Sequence, residues 1–122
     1  MPETELLPKL RAIITALDEK KAVNTAVFSI EASSGYTDYM IVVTGTSTQH
    51  NRTLADHTLR VLKEAGFSGA SSEGEQHARW ILVDAGSVIV HIMLDELRDY
   101  YDLESLWPKA PRVDISAMIR QA

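Results

Sequence analysis

The chain has 122 residues, 45% of them hydrophobic and 24% charged, which suits a single globular domain with a real core. It has no cysteine, so disulfides and thiolate metal sites are excluded, and no apolar run approaches the roughly eighteen residues that a membrane span needs. Seventeen acidic against twelve basic side chains leave a net charge of −5 without a basic stripe, a poor basis for gripping a phosphate backbone and a better one for meeting a basic protein.

The N-terminus, MPETELLPKL, lacks the basic-then-apolar order of a secretion signal, which sets a cytoplasmic expectation. Leu6, Leu10, Ile13, Ile14 and Leu17 recur at helical spacing and predict an amphipathic helix that fades through the charged DEKK. TAVFSIE reads as a short strand with Ala26, Phe28 and Ile30 on one face. SSGYTD reads as a turn around Gly35, and YMIVVTG as a strand covered on both faces.

The next helix starts at Ser47 or Thr48, buries Leu54, Thr58, Val61, Leu62 and Ala65, and stops at Gly66 in the left-handed conformation. Arg60 and Lys63 suit its negative end. SGASSEGEQH is a polar connection with room for a short edge strand. RWILVDAGSVIVHIM is the strongest hairpin signal in the chain. With Ala85-Gly86 as a two-residue loop, Val83 faces Val88, Ile81 faces Val90 and Trp80 faces His91. One face then carries Ile81, Val83, Val88, Val90 and Ile92, and the other Trp80, Leu82, Ile89, His91 and Met93. LDELRDYYDLESLW predicts a closing helix, with Asp95 and Glu96 suited to its positive first turn and Pro108 and Pro111 ending it. Helix, strand, strand, helix, hairpin, helix implies an α+β fold, an α/β sandwich in which helices pack on a mixed β-sheet. Residues 1–107 are expected to form the domain, and 108–122 a C-terminal extension without an assigned role.

Gly45-Thr46-Ser47, between a strand and a helix, raises the question of a phosphate cradle. A Walker-type loop needs Gly-Lys-Ser/Thr, and no lysine lies between Met40 and Leu62. A nucleotidyltransferase needs paired carboxylates for a divalent metal; no Asp-x-Asp follows this helix, and neither Asp38 nor Asp84 has an acidic neighbour two residues away. A serine or threonine cap, worth about 1 kcal/mol, explains the same residues more simply. His50 and His57 are separated by about 10.5 Å along one helix, too far for one metal ion. There is no G-x-S-x-G turn, and His91 has no nucleophile to serve. Catalysis, cofactor and metal are therefore not expected.

The blocks YTDYMIVVTGTSTQHNRTLADH, EGE, RWILVDAGSVIVHIM and RDYYDLESLW, in that order, resemble the ribosomal silencing factor family, RsfS, also called Iojap-like. The resemblance spans Leu6 to Trp107. It implies a nucleotidyltransferase-like fold without the catalytic carboxylates, and a function exerted by binding. Members of that family attach to the large ribosomal subunit through a ribosomal protein at its subunit-joining face, sterically block the small subunit, and repress translation when nutrients are scarce; homodimers occur among them. Gly45, Gly74 and Gly86 match family positions and read as turn residues.

The hairpin's asymmetry supplies a binding surface. Its aliphatic face suits burial under helices, whereas Trp80, Leu82, Ile89, His91 and Met93 either pack under Trp107 and Tyr101 or await a partner; aromatics and methionine are enriched at interface centres. Tyr101, Glu104 and Trp107, spaced by three, would line one side of the closing helix, with Tyr101 and Glu104 as rim contacts for a basic ribosomal protein. Two rivals remain: a divergent nucleotidyltransferase using Gly45-Thr46-Ser47 with Asp38 and Asp84, and a dimeric adaptor for another protein.

Overall fold

Alternation of side chains decides how the strands are used. A computed structural model describes residues 3–30, 38–106 and 113, leaving aside the side chains of 3–7 and 106. Its elements are α1 (Glu3–Glu19), β1 (Val23–Ser29), β2 (Tyr39–Gly45), α2 (Thr48–Glu64), β3 (Ser71–Glu73), β4 (Trp80–Asp84), β5 (Val88–Leu94), α3 (Asp95–Tyr101) and a 3₁₀ turn, Leu103–Leu106. The sheet order is β1-β2-β5-β4-β3; β2 and β5 run parallel and the other neighbours antiparallel. The mixed sheet of an α+β fold is thus present. The expected turn at Gly35 and the position of Trp107 lie outside the described residues.

Ile41 and Val43 from β2, Ile81 and Val83 from β4, and Val88, Val90 and Ile92 from β5 meet Leu10, Ile13, Ile14 and Leu17 of α1 and Leu54 and Leu62 of α2, all fully or almost fully buried. Each such side chain contributes about 1.5–3 kcal/mol by leaving water. Lys9 of α1 donates to the Ala85 carbonyl at 3.0 Å, tying the helix to the hairpin turn. Within α2, Val61 is only partly buried and Ala65 exposed, while Asn51 and Ala55 join the buried stripe.

Both ends of α2 follow from local chemistry. Ser47 caps its start by accepting the His50 N–H at 3.0 Å. At its end Gly66 takes φ +90°, its N–H donating to the Lys63 carbonyl and that of Phe67 to Leu62, a Schellman closure.

The hairpin register differs from the expected one by two residues. Ile81 pairs with Ile92, Val83 with Val90 and Trp80 with Met93, so the loop is Gly86-Ser87 rather than Ala85-Gly86. Gly86 at φ +76° takes the first loop position, and its N–H donates to Asp84 Oδ1 at 2.9 Å. A shift of two preserves which side chains share a face.

The closing helix is shorter than expected. It ends at Asp102, in the left-handed conformation at φ 46°, before the 3₁₀ turn begins. Six helical residues would place Leu103 about 240° around the axis from Leu97, facing away from the sheet. The break instead brings both onto one cluster. Aspartate tolerates this backbone better than most residues.

Candidate functional site

The glycine–helix junction engages two of its backbone donors internally. Thr46 N–H donates to His50 Nδ1 at 2.9 Å, the His50 N–H goes to Ser47 Oγ, and Asn51 N–H to the Ser47 carbonyl. His50 Nε2 lies 2.7 Å from the Lys20 carbonyl, which only accepts, so the ring's proton sits on Nε2 and Nδ1 is free to accept. Gly45 is not in a left-handed conformation; it is glycine because a Cβ would lie 1.7 Å from Asn51 Oδ1. The reading of Gly45 as a turn residue is corrected accordingly: close approach, not backbone freedom, requires it.

Asp38 and Asp84 do not meet that junction. Asp38 precedes the first residue of β2 and Gly45 is its last, about 20 Å apart along an extended strand. Asp84 pairs with Ile89, which is level with Met40, at Asp38's end of the sheet. The carboxylates near Gly45 are Asp95, Glu96 and Asp99, around an open depression of about 550 Å³. Among the described residues no three His, Asp or Glu side chains are grouped to hold a metal ion.

The sheet face opposite α1 and α2 divides into two halves. Toward β1 and β2, Ile30, Met40, Val42 and Met93 are fully or almost fully buried, with Phe28, Leu97, Leu103 and Trp80 packed around them. Met93 is therefore corrected: expected on a docking surface, it has no exposed area, because α3 and the 3₁₀ turn close over it. Toward β3 and β4, Trp80, Leu82, Ile89 and His91 stay half-buried. Loop 75–78 sets where β4 begins, and α2 holds it: Asn51 Nδ2 donates to the Ala78 carbonyl at 2.7 Å, and Arg52 to the carbonyls of Glu75 and Gln76.

Trp80 organises this half. Its indole N–H donates to His91 Nδ1 at 3.1 Å, the two rings lie 5.8 Å apart, and the Tyr101 ring packs against it at 5.0 Å. Burial of the His91 ring lowers its pKa from 6.5 to about 4, so it is neutral at pH 7. Tyr101 is half exposed, and Tyr100, which the sequence reading did not single out, is 79% exposed and edge-on to it. Two adjacent tyrosines on a short helix cannot both face the sheet, a signal that the YY pair already carried.

Glu104 is not a free rim carboxylate. Arg98 grips both of its oxygens, at 3.2 and 3.4 Å, while also donating to the Asn24 carbonyl and Thr44 Oγ1. The broken helix removes the side that Tyr101 and Glu104 were expected to share, although both remain on the surface. Glu73 and Asp84, paired with Leu82 and Ile89 across the strands, are exposed on the same face as the patch. The outward positions of β3, β4 and β5 on this face, Ser71, Glu73, Trp80, Leu82, Asp84, Ile89 and His91, include no lysine or arginine.

Comparison with known proteins bears on this geometry. The model of the family described as "Ribosomal silencing factor during starvation" matches residues 3–122. The chain is 40% identical over 95 residues to ribosomal silencing factor RsfS of Haemophilus influenzae, covering 78% of this chain and 93% of that one. It is 31% identical to "Mitochondrial assembly of ribosomal large subunit protein 1" of Mus musculus, covering 78% of this chain and 43% of that one. A crystal structure of a Chromobacterium violaceum protein superposes with a TM-score of 0.82 at 38% identity, covering 85% of this chain and 87% of that one.

Proposed function

The chain belongs to the RsfS family of ribosomal silencing factors, and on that footing we propose that it docks on the large ribosomal subunit and keeps the small subunit from joining. The observation that carries the docking site is the half-buried Trp80–Leu82–Ile89–His91 surface beside Tyr101, flanked by Glu73 and Asp84 and without a cation of its own. A desolvated aromatic and aliphatic centre with an acidic border fits a basic ribosomal protein at the subunit-joining face. The mouse relative, a protein of mitochondrial ribosomal large-subunit assembly, supports the large-subunit assignment.

The mechanism is steric and makes or breaks no bond. The chain fills space that the small subunit must enter, so it acts without catalysis, cofactor or metal. The engagement of the Thr46 and His50 N–H groups at the α2 start, and above all the separation of Asp38 and Asp84 from Gly45, speak against nucleotidyl transfer. On this reading the free chain is a cytoplasmic homodimer.

Purified large subunits test it. The protein should pellet with them and, at saturation, suppress formation of whole ribosomes; undiminished joining would refute the proposal. Trp80→Ala should weaken binding about tenfold or more. Because Trp80 also borders the buried cluster, Leu82→Lys is the companion variant: it places a like charge before a basic partner at a half-exposed position, and should weaken binding comparably while circular dichroism stays unchanged.

A further inference from the structure

An indole N–H can only donate, so whichever ring nitrogen of His91 faces Trp80 must accept and cannot carry the proton. The ring is neutral at physiological pH, and its single proton therefore sits on the other nitrogen, Nε2. Turning the ring over would set the carbon Cδ2 against the indole N–H and lose this bond, so the bond also fixes the ring's orientation. The His91 ring makes no other hydrogen bond among the described residues, and its Nε2 is not among their buried unpartnered atoms. The docking surface thus presents one oriented N–H donor, set between Trp80, Leu82 and Ile89 and held by a neighbour that keeps the opposite nitrogen occupied.

We propose that His91 Nε2–H is a specificity-determining contact that donates to an oxygen acceptor, a backbone carbonyl exposed on a basic protein, with the surrounding side chains excluding water from the bond. The occupant is argued from charge: the border of the patch is acidic and its outward strand positions carry no cation, so a basic protein is favoured over nucleic acid, whose phosphates Glu73 and Asp84 would repel. Trp80 acts here as a positioning residue, by fixing which nitrogen donates. The inference rests on the docking role proposed above and adds what the partner must offer.

Three substitutions separate the donor from the ring. A glutamine amide reaches about as far from the backbone as Nε2, whereas an asparagine amide reaches only as far as Nδ1; phenylalanine keeps the ring and loses both nitrogens. Binding to purified large subunits should fall about tenfold or more for His91→Asn and His91→Phe, because a desolvated acceptor is left unpaired, and by less than about threefold for His91→Gln. Equal affinity in all three, with the wild type still pelleting and blocking subunit joining, would overturn this contact and leave silencing intact. Equal loss in all three would assign His91 to ring packing and also overturn it. A wild type that does not bind would remove both. Nitrogen-15 spectra of the free protein give a second reading: the His91 proton must sit on Nε2, and the opposite tautomer would refute the assignment without any ribosome present.

Discussion

Gly45→Ala is the sharpest test of the packing described here. A Cβ at Gly45 would stand 1.7 Å from Asn51 Oδ1, 2.9 Å from its Cγ and 3.3 Å from its backbone nitrogen. The first contact is impossible, so the Asn51 side chain must move. Asn51 is fully buried and its amide holds the Ala78 carbonyl at 2.7 Å, so displacement leaves a buried acceptor unpaired, at about 1–3 kcal/mol. Forcing a side chain aside in a close-packed interior adds roughly 1–3 kcal/mol. Against this, alanine restricts the unfolded chain and returns only about 0.4–1 kcal/mol, since the backbone here is not left-handed. The clash wins, and a loss of about 3 kcal/mol is expected, lowering Tm by roughly 10 °C. Urea unfolding of the wild type, Gly45→Ala, Asn51→Ala and the double variant measures it. In the Asn51→Ala background the glycine substitution should cost less than about 1 kcal/mol, because only the backbone contact remains. Additive losses, or a Gly45→Ala protein as stable as the wild type, would refute the reasoning.

Met93→Ala should reduce stability by about 2–5 kcal/mol in chemical unfolding, as expected for emptying a fully buried site; a stable variant with weakened ribosome binding would return Met93 to the interface. His91 gives a pH dependence. Its folded pKa is lowered to about 4 while the unfolded chain protonates at 6.5, so its contribution is present above pH 6.5 and is lost as pH falls through 4, about 3 kcal/mol in all. The gap in unfolding free energy between wild type and His91→Gln should narrow or invert over that window; parallel curves would show that His91 does not titrate as described.

How much of this was legible in the sequence depended on how local the deciding physics is. Ser47 as helix cap and Gly66 as helix stop depend on a few consecutive residues and their backbone groups, and both hold. The two faces of the hairpin also hold, because alternation is a property of the extended chain and survives the two-residue error in register. Helical spacing likewise identified Leu10, Ile13, Ile14 and Leu17 as the inner face of α1. The loop itself was misplaced because Ala85-Gly86 and Gly86-Ser87 both offer a glycine, and only the pairing of whole strands chooses between them.

The candidate site was legible as a face but not as a surface. Periodicity put Met93 with Trp80, Leu82, Ile89 and His91, and it does share their side of the sheet. Whether a residue on that side meets water depends on α3 and the break at Asp102, which folds Leu103 over Met93 and stops short of Leu82 and Ile89. Nor does any local pattern show that Asn51 fills the space beside Gly45, or that Arg98 occupies Glu104, since each contact joins side chains whose directions only packing sets. The sequence by itself determined which side chains stand together on each element, since that follows from the bond geometry of a few neighbouring residues. Only the tertiary structure decided which of those groups are covered, because the covering segments come from elsewhere in the chain and their arrangement minimises exposed apolar area over the whole molecule at once.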